Sequence, residues 1–461
     1  MRATLALLAC ALLASAEARA ATMVVKNLDP PGEGFNDPTP VTPVGGNPGT
    51  TVGQQRLAVF NRAAQLWGAA LQGPVPIEID ANFAPLPCTG GFIVLGNARP
   101  ATFMANIPGV SIDLWLPVAL ANELAGSDQS PGESEIEATF NGGLAACTNG
   151  RQDWYYGFDG QAGDKPDLLS VVLHELGHGL GFTSVMDLAT GESKSGRFDP
   201  FSSHVFDTTL GQPWTVLTAA QRVTSVRSPR TVVWHGLNVL RQAADILALG
   251  APVLKTTPAL PGLTARVAEA EFGPAVAARP ASGPLVVGTL SPGTCAFQGS
   301  AAGAVVLITQ SGCPPIQQAW NAQQAGAVAV LIKDDGNPDP PLTVDVQASH
   351  RALFPVTVPV LAVSAADATV LAAAPAGTTV QLTAEAATRV GADVSGRPML
   401  FATNPVAKGS TLSHWEMLER PNLLMEPVQA PDAIHDLRME LALFRDLGWS
   451  TTCGNGTMDS G

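Results

Sequence analysis

Positive charge, tyrosine and long apolar runs are all scarce in this chain of 461 residues. Lys and Arg together number 25 against 39 Asp and Glu, for a formal net charge of −14. No basic run interleaved with aromatics occurs, so the electrostatic footprint of a nucleic-acid binder is missing. The acidity is read as a solubility feature. Beyond residue 20 no apolar run is long and uninterrupted enough to span a bilayer. Internal repeats are missing too. What the chain has in quantity is apolar residues, at 46%, with 46 Gly and 38 Pro. That is enough for a sizeable core in two or three domains joined by many turns. It is too hydrophobic to be disordered.

One short apolar run does occur, at the N-terminus. Arg2 is followed by Leu5 to Leu13, and Ala18-Arg19-Ala20 is a small-x-small cleavage site. Residues 1–20 are therefore expected to be a signal peptide, and the protein to be secreted and soluble. Leu7-Leu8-Ala9-Cys10 has the outline of a lipoprotein box, but its apolar run is too short. An oxidising compartment makes disulfides the expected state of the remaining cysteines. Cys88 with Cys147 and Cys295 with Cys313 are the economical pairs. Cys453 is then odd. Cys453-Gly454-Asn455-Gly456 looks like the opening of a cysteine-rich repeat, or it is a frayed tail with a free thiol.

Periodicity sketches the elements. Residues 23–52, rich in Pro and Gly, read as an extended arm. Leu57, Phe60, Ala64, Trp67 and Leu71 recur at helical spacing. Val75, Ile77 and Ile79 alternate as a strand. Val110, Ile112 and Leu114 mark a second strand, and Ile136, Ala138 and Phe140 a third. Asp167 can cap a helix that Gly179 and Gly181 end. Further on, 305–309, 328–332 and 356–363 read as strands, with Pro359 suggesting a sheet edge. Residues 317–325 fit a helix, and a closing helix spans roughly Ile434 to Leu447.

Residues 174 to 184 read His-Glu-Leu-Gly-His-Gly-Leu-Gly-Phe-Thr-Ser. His174 and His178 are four apart and share one helix face. Both imidazoles can reach one Zn²⁺, which needs three protein ligands and an open position for hydrolysis. Glu175 flanks the water and can act as general base. Gly181 allows the turn beneath the metal. Ser184 is a poor ligand, so the third must come from elsewhere. His204, His235, His350, His414 and His435 are open, as are Asp187, Asp199 and Asp207.

Ser413-His414-Trp415-Glu416 is followed by Pro421-Asn422-Leu423-Leu424-Met425-Glu426-Pro427. Here the chain resembles leishmanolysin, a metzincin whose third histidine lies far downstream in a Ser-His-Trp motif. The closing segment from Glu440 to Trp449 resembles that family's last helix. The resemblance implies His174, His178 and His414 as zinc ligands, Glu175 as base and Met425 as the Met-turn. His204 is the runner-up for third ligand. The chain departs from the family in two ways. No propeptide with an inhibitory cysteine is evident. Tyr155 and Tyr156, the only tyrosines, are far from Met425 in sequence, which leaves oxyanion stabilisation to zinc and backbone N–H groups.

Between the two halves of the motif, the run from Ala301 to Pro315 and the run from Asn321 to Ile332 are followed by Val356 to Leu361. In that order they resemble a PA (protease-associated) domain. Such a domain screens protein substrates or acts as a passive spacer. Asp334, Asp335, Asp339 and Asp345 within it read as a solvated acidic loop rather than a calcium site.

The expected fold class is α+β: a metzincin-like zinc protease domain, with a mixed sheet and a metal-bearing helix, carrying an inserted α/β PA-like domain. The expected plan is signal peptide 1–20, first part of the catalytic domain 21–200, a connector 201–269, PA-like domain 270–390, second part of the catalytic domain 391–450, and a tail 451–461. The expected function is a secreted zinc metalloendopeptidase acting on protein or peptide substrates. The alternative is a secreted binding or adhesive protein with a structural zinc site. A closed fourth coordination position would mark the second. The sequence carries no signal for oligomeric state.

Overall fold

The computed structural model describes residues 20–89, 92–110, 112–148, 153–309, 312–333, 348–429 and 435–451. The expected signal segment (Ala20 excepted), the Cys453 tail and the four acidic positions from Asp334 to Asp345 lie outside them. Among the described residues, no helix is long and apolar enough to cross a membrane.

The chain opens with β1 (Met23–Asn27), the start of the segment expected as an arm. It finds a partner because β2 (Ile77–Ala84) offers a parallel edge, with Met23 opposite Ile77. β3 (Gly96–Pro100) and β4 (Ile136–Asn141) complete a sheet of order β1-β2-β4-β3. β2 and β4 are parallel, while β3 runs antiparallel along the outer edge. Ile77, Ile79, Ala81 and Phe83 alternate inward on β2. They meet α1 (Val52–Ala70), which buries Val59, Phe60, Ala63 and Trp67. Each of the larger of these side chains contributes roughly 1.5–3 kcal/mol on leaving water. Thr51 caps α1 by accepting from Gln54 N–H at 3.2 Å.

The strand expected at 110–114 does not form. Val110 N–H turns back to Ile107 O, and Trp115 N–H donates to Phe198 O in a loop. Among the described residues of this stretch no strand forms, and its flanking N–H groups are bound to turns and loops. α2 (Leu168–Leu180) follows, its N-cap Asp167 Oδ1 accepting from Leu169 N–H at 2.9 Å and Ser170 N–H at 3.2 Å. It ends at Gly181, whose φ of +125° few side chains tolerate.

Residues 201–269, read from sequence as a connector, divide between two cores. Phe201, Val205, Trp214, Val232 and Trp234 join the core of the first lobe. So do Val239 and Ala243 of α3 (Leu237–Ile246). Then β5 (Leu249–Thr257) and β6 (Val267–Glu269) enter a second sheet. With β7 (Ala281–Leu290), β8 (Val305–Ile308), β9 (Ala329–Lys333), β10 (Val360–Val363) and β11 (Thr379–Arg389), its order is β5-β11-β7-β8-β9-β10-β6. β7 to β10 are parallel and the rest antiparallel. The short strands β8, β9 and β10 are buried throughout or nearly so. Val306, Ile308, Val330 and Ile332 face one core, which α4 (Pro315–Gln324) covers with Ile316 and Ala319. Val305, Leu307, Ala329 and Leu331 face the other, beneath Ala368 and Leu371 of α5 (Ala365–Ala372). Pro359 does not mark an edge. It precedes β10, and its carbonyl accepts from Val330 N–H at 3.0 Å, while β6 covers the far side of β10.

β5 and β11 lie side by side, from Leu249 opposite Arg389 to Thr257 opposite Thr379. Val390 N–H then donates to Ala248 O at 2.9 Å, and the chain re-enters the first core at Ala392. The last element is α6 (Arg438–Leu447), shorter than expected, with Ile434 outside the described residues. The two largest sheets each mix parallel and antiparallel pairs, so the architecture is mixed α/β. Cys88–Cys147 and Cys295–Cys313 are disulfides, as the economical pairing predicts. Arg420 joins the lobes by pairing with Glu271 at 2.9 Å and donating to Glu269 O at 3.1 Å.

Candidate metal centre

α2 is the fixed half of the site. Trp67 Nε1–H donates to Leu173 O at 3.0 Å. Trp449 Nε1–H donates to Leu180 O at 3.1 Å, satisfying a carbonyl that the helix end leaves open. On this braced helix His174 and His178 project together, and the Nε2 atoms lie 3.1 Å apart. His414 arrives from the other half of the chain, its Nε2 at 3.2 Å from each of the other two. Leu412, with a left-handed φ of +75°, turns the backbone just before it.

The three Nδ1 atoms decide the chemistry. Each lies 2.8 Å from a backbone carbonyl: Leu424 O for His174, Phe182 O for His178 and Ser410 O for His414. A carbonyl only accepts, so each Nδ1 carries the proton and each Nε2 presents a lone pair. The Nε2 contacts are therefore not hydrogen bonds. Burial keeps the rings neutral, pushing His174 down to about 4 and His178 down to about 3, and His414 well below its usual range. Three lone pairs face one another with no proton between them, which fits a shared Lewis acid. Ligands at about 2.0–2.1 Å on a tetrahedral ion would stand roughly 3.3 Å apart, close to the spacing seen.

Glu175 lies in the same cleft, which encloses about 1190 Å³. Burial raises its carboxyl to about 8, while the Ala98 N–H of β3 pulls the other way. β3 passes closely over it at Gly96, where a Cβ would stand 3.1 Å from Glu175 Cγ. The edge strand β3, from Gly96 to Ala98, lines the cleft together with Leu423 and Leu424. Asp164 on the rim accepts from Ser349 N–H of the second lobe at 3.1 Å.

Met425 is fully buried. Its sulfur packs on α2 at Gly177, where a Cβ would be only 2.7 Å away. The other candidates go elsewhere. His204 Nδ1 donates to Pro200 O at 2.8 Å, and its ring stacks on Trp234 at 5.2 Å. His235 stacks on Phe206. His350 sits in the second lobe's short helix Ala348–Leu353, and His435 lies 3.3 Å from Asp167. Asp187 and Asp207 accept from turn N–H groups. Asp199 is buried and accepts from Ser184 Oγ–H at 2.8 Å and Ser202 N–H at 2.8 Å. Ser184 thus fastens the loop after α2 instead of reaching the histidines. Among the described residues, His174, His178 and His414 form the one group of His, Cys, Asp or Glu arranged to hold a metal.

Sequence reasoning passed over Glu440, a buried carboxyl in the first turn of α6 that burial raises to about 7. Its position three after Leu437 and four before Phe444 puts a charge inside an apolar stripe, and that was the available signal.

Residues 281–371 match the PA domain family. No curated protein matches the chain. Among solved structures, a zinc aminopeptidase from Bacillus subtilis is similar at 17% identity and a TM-score of 0.23, over 32% of this chain and 36% of that one. A psychrophilic subtilisin-like protease, Apa1, from the Antarctic psychrotroph Pseudoalteromonas sp. AS-11 is similar at 20% identity and a TM-score of 0.21, over 30% and 34%. An aminopeptidase from Aneurinibacillus sp. strain AM-1 is similar at 13% identity and a TM-score of 0.20, over 32% and 37%. The chain spans only about a third of the length of these structures. Scores of this size carry no conclusion about activity.

Proposed function

We propose that this chain is a secreted zinc-dependent metalloendopeptidase of leishmanolysin-like metzincin type, with a PA domain set into its catalytic domain. The observation that carries the reading is the convergence of three Nε2 lone pairs beside a buried glutamate in an open cleft. His174, His178 and His414 would hold the zinc, which supplies Lewis acidity toward a water and a peptide carbonyl. The backbone carbonyls on each Nδ1 fix the tautomer and aim the rings. A cation held by the histidines would favour the carboxylate form of Glu175 against its burial. That carboxylate takes the proton from the water as the water oxygen attacks the carbonyl carbon. It then delivers that proton to the amine nitrogen as the C–N bond breaks. The outer edge of β3 can bind an extended substrate by strand addition, which suits protein or peptide substrates. Met425 packs its sulfur on α2 and fills the space that Gly177 leaves. His204, stacked on Trp234, takes no part.

Among the described residues no fourth His, Cys, Asp or Glu joins the three. This supports an open, hydrolytic site over a closed structural one. The test is Glu175→Gln, assayed on a protein substrate alongside measurement of bound zinc. Loss of hydrolysis by about 10²–10⁴-fold with zinc retained is expected. Activity that survives this change would sink the mechanism.

A further inference from the structure

α6 carries none of the three histidines. Its Glu440 is 1% exposed. One oxygen, Oε1, accepts from Trp415 Nε1–H at 3.1 Å and from Met425 N–H at 3.4 Å. The other, Oε2, is buried without a hydrogen-bond partner. Burying such an oxygen is costly, and a leucine would fill the same stripe without that cost.

The two donors explain what the carboxyl does. Trp415 is the residue after His414. Its ring also packs edge-on against Phe182 at 5.2 Å, and Phe182 O holds His178 Nδ1. Met425 is the residue after Leu424, whose carbonyl holds His174 Nδ1. Trp415 N–H donates to Met425 O at 2.9 Å, closing the link between them. Every histidine of the centre is therefore one residue or one ring contact away from a group bound to Glu440.

We infer that Glu440 is a positioning residue of the metal centre, and that its Oε1 holds Trp415 and Met425 so that the three imidazoles converge on one ion. The inference rests on the metallopeptidase reading above. It assigns the closing helix a part in metal affinity and turnover, through one acceptor oxygen shared by Trp415 and Met425.

Three variants test it: Glu440→Leu removes the acceptor, Glu440→Gln keeps one, and Trp415→Phe removes a donor while keeping a ring. The measurements are zinc affinity by chelator competition, the visible spectrum of the Co²⁺-loaded protein, and kcat and KM on a peptide substrate. Circular dichroism checks folding. Loss of an orienting partner behind a ligand typically weakens metal affinity or activity by about 10–100-fold. Glu440→Leu and Trp415→Phe should each show a loss of that order, with a changed Co²⁺ spectrum. The loss of turnover should fall on kcat, with KM little altered. Glu440→Gln should stay near wild type in all three. A folded Glu440→Leu protein with wild-type affinity and spectrum would overturn the inference. Should that variant fail to fold, Trp415→Phe decides, and wild-type affinity there overturns it. Equal damage in Glu440→Gln and Glu440→Leu also overturns it, since the acceptor would not matter. Wild-type protein that takes up neither zinc nor cobalt overturns the metallopeptidase reading itself, and this inference with it.

Discussion

Two of the three converging histidines ride on a helix, and the third arrives on a loop. His174 and His178 need only the 3.6-residue period of α2 to share a face. Any stable helix would hold them so. His414 has no such guarantee. It depends on a left-handed turn at Leu412, a backbone bridge between Leu400 and Trp415, and the carbonyl of Ser410. The helix half is set by local geometry, whereas the loop half is also set by backbone contacts with residues 399–401 and with Met425. Disturbing the loop should therefore weaken metal binding before it unfolds the lobe. Disturbing the helix away from the loop should lower stability and leave metal binding alone.

The largest test breaks the comparison at the loop. His414→Ala should abolish zinc binding and hydrolysis, while His204→Ala should keep both near wild type. Chelation should then lower the melting temperature of the wild type. A ligand at a thousand times its dissociation constant stabilises the folded state by about 4 kcal/mol. In His414→Ala the same chelator should change nothing. Equal shifts in the two proteins would mean that the metal does not join loop to helix.

A smaller effect sharpens the comparison within α2. A Cβ at Gly177 would meet Met425 Sδ at 2.7 Å, and one at Gly179 would meet Ile136 Cγ2 at 2.5 Å. Each alanine gains about 1 kcal/mol of helix propensity. Each loses about 1–3 kcal/mol to overpacking. Only Gly177→Ala presses on the loop that carries Met425. It should weaken zinc binding, whereas Gly179→Ala should lower only the melting temperature. Competition titrations that gave one zinc affinity for both variants would erase the distinction.

The smallest effect concerns the residue that stands where a third ligand would be sought. Ser184→Ala removes the hydrogen bond to Asp199 and should cost about 1 kcal/mol. Zinc stoichiometry should not move. A protein that lost its metal with this change would return Ser184 to the coordination sphere.

The same division explains what could be read from the sequence. His174, Glu175 and His178 were legible because helix spacing is periodic. His414 was legible through a neighbouring motif, Ser-His-Trp, and not through any spacing to His178. α1, β2 and α2 followed from periodicity, and α2 also from its Asp167 cap. The strand expected at 110–114 failed because alternation says nothing about whether a partner edge is free. β1 was missed for the converse reason, since a five-residue strand in a Gly- and Pro-rich stretch forms only when β2 offers its edge. The role of Asp199 was hidden because its donors, Ser184 and Ser202, meet it through the fold. Glu440 was passed over because its burial and its bond to Trp415 arise only in the fold.

The pairing of β5 with β11 bears on how such a chain can be taken apart. Along the sequence, His174 and His414 are 240 residues apart. Much of that span leaves and returns through two adjacent strands, so its ends are about 5 Å apart. A span closed at its base is topologically invisible to the lobe it leaves. Its length can change with little penalty, because closure entropy grows only with the logarithm of length. A tight turn joining Ala248 to Val390 would bridge the same gap. The metal lobe, rebuilt that way, would become a continuous unit in which the third histidine is no longer remote.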